Sequence, residues 1–189
     1  RGVAVDMEMV TGALHLGATV RNNLMAEATA LSRLNNPNSV AQLTKWLQEE
    51  TGEELGDLRK DTVTRLLKQD GNSPQVQRML EIRQELGKTS TKKYDAIEAA
   101  VCPDGRVRGL LQFYGANRTG RWAGRLVQVQ NLPRTYTEPL SLARDLVRQR
   151  NLNALKAVYG SVPDTLSQLI RTAFVAPEGH VLIDAAFSA

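Results

Sequence analysis

The chain has 189 residues, 42% of them hydrophobic and 23% charged, with a formal net charge of +4. This balance belongs to a folded globular protein and excludes a disordered one; no stretch approaches the roughly 20 consecutive apolar residues that span a bilayer. A single cysteine, Cys102, excludes an internal disulfide, and with His15 and His180 as the only histidines a Cys/His zinc site is excluded too.

The first residues, RGVAVDMEMV, have no initiator Met and no apolar core of the length a signal peptide needs. The chain stops inside an apolar run, VLIDAAFSA. Natural termini are usually polar and exposed, so the expectation is a piece of a longer protein.

Asp6 is placed to cap a helix. Beyond it Val10, Leu14, Gly17, Val20, Leu24, Ala28 and Leu31 recur every three or four residues, the spacing of one helical face. The run Asn35-Asn-Pro-Asn38 ends it. Ser39 and Gln42 have capping-box spacing ahead of Val40, Leu43 and Leu47, so a short helix follows. Trp46 falls on its apolar side and is expected in the core. The acidic segment Glu49 to Asp61, with Gly52 and Gly56, reads as a loop, and Thr62 to Lys68 as another short helix. Ser73 before Pro74 is a cap followed by proline at the first helical position. A long helix is predicted over 74–100, with Val76, Leu80, Leu86, Tyr94 and Ile97 buried. Its polar middle, Gly87 to Lys93, has low helix propensity and is where it bends or breaks.

At Cys102-Pro-Asp-Gly105 the pattern changes to a turn. The period then becomes two. Val107, Gly109, Leu111 and Phe113 share one face and Arg106, Arg108, Leu110, Gln112 and Tyr114 the other, which predicts a strand over 106–114. A glycine-rich basic loop follows, then a strand near Leu126–Gln130. Helical patterns return at Pro139–Arg150, Ala154–Tyr159 and Asp164–Phe174. Val181–Ile183 reads as a buried strand in the same sheet as 106–114. The boundary falls near Ala100, with residues 1–100 helical and 101–189 mixed, an α+β chain overall.

Charge is unevenly distributed. Residues 1–82 hold nine basic and eleven acidic side chains, 83–134 hold ten and four, and 135–189 hold five of each. A local basic excess is the electrostatic footprint of a polyanion partner. A solvated basic face without a partner is the competing reading.

The densest part of that excess is residues 115–134, GANRTGRWAGRLVQVQNLPR. Arg118, Arg121, Arg125 and Arg134 are interleaved with glycines, which permit close approach of a backbone to a ligand. Arginine offers a planar fork of donors matched to phosphate, while Gln130 and Asn131 carry a donor and an acceptor suited to base edges. Gly115-x-x-x-x-Gly120 has Walker spacing, but Arg121 and Trp122 stand where that motif needs Lys and Ser/Thr, which counts against a nucleotide-binding loop. A structural loop with surface arginines is a further reading. Trp122 either packs beneath the arginines or stacks on a base or sugar; the general burial of large aromatics favours packing. His15 and His180 read as surface or loop residues. Cys102, with no base nearby, is not a nucleophile candidate.

Several segments together resemble family A DNA polymerases, the bacterial DNA polymerase I family, and most closely its phage and prophage branch. Thr119-Gly-Arg121, Gln130-Asn-Leu-Pro133, Ile170-Arg-Thr-Ala-Phe174 and the terminal Phe187-Ser188 follow that family's order of T-G-R, Q-N-[IL]-P, I-R-x-A-F and the D-[YF]-S core of motif A. In the first half, Gly2-Val-Ala-Val-Asp6, Asn36 to Leu43 and Arg83-Gln-Glu-Leu86 with the following Lys/Ser/Thr tract resemble the lead-in, thumb tip and thumb helix. The likeness covers nearly the whole chain.

The resemblance implies a helical thumb over 1–100 and the first, truncated part of a palm over 101–189. It implies a template-directed enzyme that uses Mg2+ and deoxynucleotides on primer–template DNA, working in the cytoplasm of a bacterial or phage-infected cell with no membrane partner. It places Arg121 near the primer terminus and the minor groove, with Gln130 and Asn131 facing the duplex. Arg118 belongs to the same basic segment. Arg108, Lys88, Lys92 and Lys93 are phosphate-contact candidates, with a solvated face as the alternative.

Two departures qualify the resemblance. Ala186 occupies the position of the motif A metal-binding aspartate, and alanine cannot ligate magnesium. Asp184 lies two residues away and could substitute only with a shifted backbone. The finger helix and second carboxylate motif that follow in the family are absent, so no catalytic activity is expected of this chain, and an uncovered sheet edge is expected to promote self-association. Competing classes are a non-catalytic nucleic-acid-binding or replication-adaptor module, and a helical interaction protein with an incidental basic loop.

Overall fold

A computed structural model describes residues 1–88 and 91–182. Among these lie five short strands, eight α-helices and two 3-10 turns, an α+β chain as expected. No helix of the described residues is long and apolar enough to cross a membrane. The chain divides into two compact units, one of residues 18–88 and one of residues 1–17 with 91–182. This division differs from the single cut expected near Ala100. The reason is pairing at long range: β1 (Val3–Val5) lies between β2 (Arg106–Val107) and β5 (Phe174–Val175), antiparallel to both. Three short strands from distant parts of the chain thus form one sheet, which draws the N-terminus into the later unit.

Helix α1 (Met7–Ser32) starts where Asp6 accepts the Met9 backbone N–H at 3.1 Å, the cap anticipated from sequence. Its later turns belong to the helical unit with α2 (Val40–Thr51), α3 (Lys60–Leu67) and α4 (Pro74–Leu86). Ser39 and Ser73 cap α2 and α4 as their sequences predict. Gln42 departs from the reciprocal capping box, because its side chain accepts from the Asn36 backbone N–H instead. Leu43, Trp46, Leu47, Leu66, Met79 and Leu80 form the core of this unit, and Trp46 is only 8% exposed, as expected. Arg78 holds Glu27 with two hydrogen bonds of 2.6 and 2.9 Å.

The predicted helix over 74–100 is broken, with α4 ending at Leu86 and α5 spanning Lys92–Ala100. Tyr94 on α5 is buried and donates its hydroxyl to the Leu166 carbonyl at 2.7 Å. Burial pushes this phenol well above its ordinary value.

Residues 106–114 are two strands, not one. Gly109, with φ of +68°, interrupts them; β2 joins the three-stranded sheet, and β3 (Leu111–Ala116) pairs instead with β4 (Arg121–Gly124). The strand expected near Leu126–Gln130 therefore lies earlier in the chain. Leu126 and Gln128 have φ of +55° and +54°, which a strand cannot accommodate, and Val129–Asn131 is a 3-10 turn. Helices α6 (Leu140–Arg148) and α7 (Leu152–Tyr159) match the predicted ones, whereas α8 (Val162–Leu169) ends five residues short of the predicted Phe174, and a 3-10 turn over Ile170–Ala173 leads into β5.

Val181 and Leu182 do not form the expected buried strand. Both lie outside any strand, and Val181 is 79% exposed. Ile183, Asp184 and Ala186 lie outside the described residues. The sheet expected to unite 106–114 with 181–183 is replaced by the β2-β1-β5 sheet and the separate β3–β4 hairpin. The outer side of β2 is partly covered from within the chain, because Val101 bridges Val107.

Candidate nucleic-acid interface

The basic segment folds around the β3–β4 hairpin, and its glycines explain how. The Ala116 carbonyl accepts the backbone N–H groups of Thr119 and Gly120 at 3.0 and 2.8 Å, closing the turn. Gly120 sits at φ +66°, with the Tyr114 ring against it; a Cβ there would lie 2.7 Å from the ring. Any L-residue at position 120 would be strained and would displace Tyr114. At the far end of the hairpin the Gln130 amide lies on Gly124, where a Cβ would meet its oxygen at 2.0 Å. The hairpin thus carries Thr119-Gly120-Arg121 at its turn and seats Gln130 against its far end.

Arg118 is exposed in the turn, and Arg121 is exposed as the first residue of β4, opposite Ala116. Asn131 is exposed on the 3-10 turn beside Gln130, which is also exposed apart from its seat on Gly124. Arg125 is exposed too, and its backbone N–H donates to the Leu110 carbonyl at 2.8 Å. Among the described residues no carboxylate pairs with Arg118, Arg121 or Arg125. The hairpin thus presents a positive surface that is not neutralised by its own carboxylates.

The other predicted contacts separate into distinct situations. Arg108 forms a two-pronged pair with Asp104, at 2.9 and 2.5 Å. The Arg108 guanidinium holds the Asp104 carboxyl down to about 2, and the Arg108 guanidinium is itself held above its ordinary value. Its charge is therefore largely committed within the chain. Lys93 donates to the Val127 carbonyl at 2.7 Å, fixing the loop that follows β4, while Lys92 is exposed at the start of α5. Lys88 belongs to the other compact unit. Arg106 donates to the Gly2 carbonyl at 3.2 Å.

Two features were not anticipated. First, Arg171 donates to the carbonyls of Leu132 and Pro133, both at 3.0 Å. Arg171 belongs to the Ile170–Phe174 segment and its acceptors to the Gln130–Pro133 segment, so two sequence signatures about 40 residues apart are one structural joint. Second, the aromatics of the hairpin are exposed. Phe113 is 71% and Trp122 61% exposed, and Leu111 and Tyr114 are exposed as well. Trp122, expected to pack beneath the arginines, is exposed instead. Among the described residues nothing covers that face of the hairpin, so alternation along β3 does not report burial. Phe113 lies across from Trp122, with ring centroids 5.2 Å apart at 68°.

Magnesium requires oxygen ligands. Among the described residues no group of three acidic, His or Cys side chains is placed to hold a metal, and Ala186 supplies no donor. The described residues do not fit the ion, and Asp184, the weak metal candidate, lies outside them.

No protein-family model matches the chain, and no solved structure matches it. Among curated proteins, the chain is 52% identical over all 189 residues to a DNA polymerase of Bacillus phage SP02. The chain spans 29% of the length of that relative, so the likeness concerns under a third of the phage protein but the whole of this chain.

Proposed function

We propose that this chain is the primer–template-holding part of a template-directed DNA polymerase of family A, with a thumb within residues 1–100 and the start of a palm within 101–189. The observation that carries the reading is the 52% identity, over every residue, to a phage protein named DNA polymerase. The Arg118 and Arg121 surface supports it, because an enzyme that copies any sequence needs backbone and minor-groove contacts rather than a base code. In this reading Arg118, Arg121, Gln130 and Asn131 meet the duplex. Lys92 and Lys93 flank it, and Lys88 and Arg108 contribute less. The longer protein would join deoxynucleotides to a primer 3′ end with Mg2+.

Binding of a short primer–template by this chain tests the reading. Neutralising three to five phosphates gives a slope of about −3 to −4.5 in log K against log salt. A flat salt response or strong preference for one sequence would contradict it. With Ala186 in place of a carboxylate, we expect no template-dependent incorporation in Mg2+ or Mn2+; incorporation by protein freed of contaminating polymerase would overturn that expectation. Ala186 also favours a second reading, a nucleic-acid-binding module that has lost catalysis. Primer extension by the longer protein separates the two. Self-association through the outer strand β5 is expected to appear as concentration-dependent light scattering, and a monodisperse chain would exclude it.

A further inference from the structure

We infer that Arg171 is a positioning residue: its side chain fixes the backbone on which Gln130 and Asn131 stand, and so sets how those two amides meet DNA. The role rests on the reading above that Gln130 and Asn131 contact the duplex, and it adds to that site a residue from outside the basic segment.

The turn that carries the two amides is weak by itself. Val129–Asn131 is a 3-10 turn of three residues. Asn131 donates its backbone N–H to the Gln128 carbonyl at 2.9 Å, and Leu132 donates to the Val129 carbonyl at 3.3 Å. Hydrogen-bond geometry in such turns is poorer than in an α-helix, so little within the turn holds its shape. It also follows Gln128 at φ +54°, a conformation that side chains other than glycine rarely adopt. Ties from elsewhere in the fold therefore fix it. On the entry side Lys93 donates to the Val127 carbonyl at 2.7 Å. On the exit side Arg171 donates through Nη2 to the Leu132 carbonyl and through Nε to the Pro133 carbonyl, both at 3.0 Å. These are the two carbonyls directly after Asn131, and the planar guanidinium holds both at once.

The origin of Arg171 makes that tie rigid. It stands on the 3-10 turn Ile170–Ala173, whose Ile170 and Ala173 are fully buried, so its backbone is rooted in the core while its own side chain reaches outward. One turn earlier, Gln168 holds the next stretch of chain. Its Oε1 accepts the Tyr136 backbone N–H and the Thr137 hydroxyl, both at 2.9 Å, and its carbonyl accepts the Thr135 hydroxyl at 2.8 Å. Residues 132–137 are thus strapped to the end of α8 by two side chains, and Arg171 ties the end next to Gln130 and Asn131. An amide held in place beforehand loses less entropy on meeting DNA than one on a loose turn. No carboxylate pairs with Arg171 among the described residues, so a direct bond from its guanidinium to a phosphate is the rival role.

Primer–template binding across a range of salt separates the two roles, with the denaturation midpoint of each variant measured alongside. Arg171→Ala is expected to weaken binding about 5- to 50-fold and to leave the slope of log K against log salt unchanged. Loss of a direct phosphate contact would instead reduce that slope by about one. Arg171→Lys keeps the charge but not the fork, and is expected to recover only a small part of the loss. In a Gln130→Ala/Asn131→Ala background, Arg171→Ala is expected to cost less than about twofold, because no amides remain to be positioned. Gln168→Ala, which frees the far end of the strap, is expected to cost less than about twofold in the unaltered background. Undiminished binding by Arg171→Ala, a slope reduced by one, full recovery with lysine, or the same loss with and without the two amides would each overturn the positioning role and leave the duplex reading standing. Equal losses from Arg171→Ala and Gln168→Ala would overturn it in favour of general loosening of the strap. Unchanged binding by the Gln130→Ala/Asn131→Ala variant would overturn the duplex contact of those amides, and the positioning role with it.

Discussion

Two regions of the molecule use arginine in opposite ways. Where α1 meets α6, Arg144 and Arg148 both donate to Asp6, with Arg144 at 3.0 Å, and Arg148 also holds Asp145 at 2.8 Å. At the β3–β4 hairpin, Arg118 and Arg121 face solvent with no carboxylate partner among the described residues. The first pattern is that of a structural joint and the second that of a surface waiting for an external anion. Composition alone cannot tell them apart, because both lie in arginine-containing segments. What separates them is whether the fold supplies the counter-charge.

The comparison breaks most severely at Gly12. This glycine lies against α6 so closely that a Cβ would fall 2.2 Å from the Val147 carbonyl oxygen. Gly12→Ala is expected to destabilise the chain by about 2–3 kcal/mol through overpacking, despite a helix-propensity gain of about 1 kcal/mol. Chemical denaturation checks this. An unchanged midpoint would mean that the joint is looser than the geometry indicates.

Asp6 comes next. Burial pushes its carboxyl up, but hydrogen bonds from Arg148, the Met9 backbone N–H and Arg144 outweigh that and leave it below the usual carboxylate range. A depressed folded value means that its contribution is complete above about pH 4 and fades as pH falls through the lower folded value. Asp6→Asn keeps a capping side chain but removes the charge. It is expected to cost about 1.5–3 kcal/mol at neutral pH and progressively less as pH drops below about 4. A cost that does not change with pH would show that the cap, not the ion pair, carries the effect.

At the hairpin the expected effects are on binding, not on folding. Arg121→Ala is expected to weaken primer–template binding by about 1–3 kcal/mol while leaving stability within about 0.5 kcal/mol. Arg106→Ala, which loses its bond to the Gly2 carbonyl, should change binding less. Equal binding losses for both would reduce the hairpin to diffuse charge. The smallest effect is predicted for Arg108→Ala, under about 0.5 kcal/mol in binding, because Asp104 already neutralises that guanidinium. A loss as large as that of Arg121 would mean that DNA displaces Asp104.

Much of the helical structure was legible in the sequence because its information is local. Asp6, Ser39 and Ser73 act on backbone groups three residues away, and the apolar spacing of Val10 to Leu31 follows from helical geometry alone. The β region was less legible. Nothing near Val3–Val5 indicates that its partners are Arg106–Val107 and Phe174–Val175. Gly109 divides what alternation presents as one strand. The candidate site was legible as composition, in that Arg118, Arg121, Gln130 and Asn131 stand out. It was not legible as arrangement: the commitment of Arg108 to Asp104, of Lys93 to Val127 and of Arg171 to Leu132 and Pro133 depends on contacts that spacing does not encode. The exposure of Phe113 and Trp122 was hidden for a related reason. A hairpin with one uncovered face has the same period as one packed on a core.

The central claim is that primer–template DNA is held at the β3–β4 hairpin and its following turn. Hydrogen exchange of the chain at low salt, with and without a short primer–template, tests it most directly. The account predicts slowed exchange within residues 111–131, with that of α6 unchanged. Slowing confined to α6 and α7, or none anywhere while DNA is bound, would contradict it.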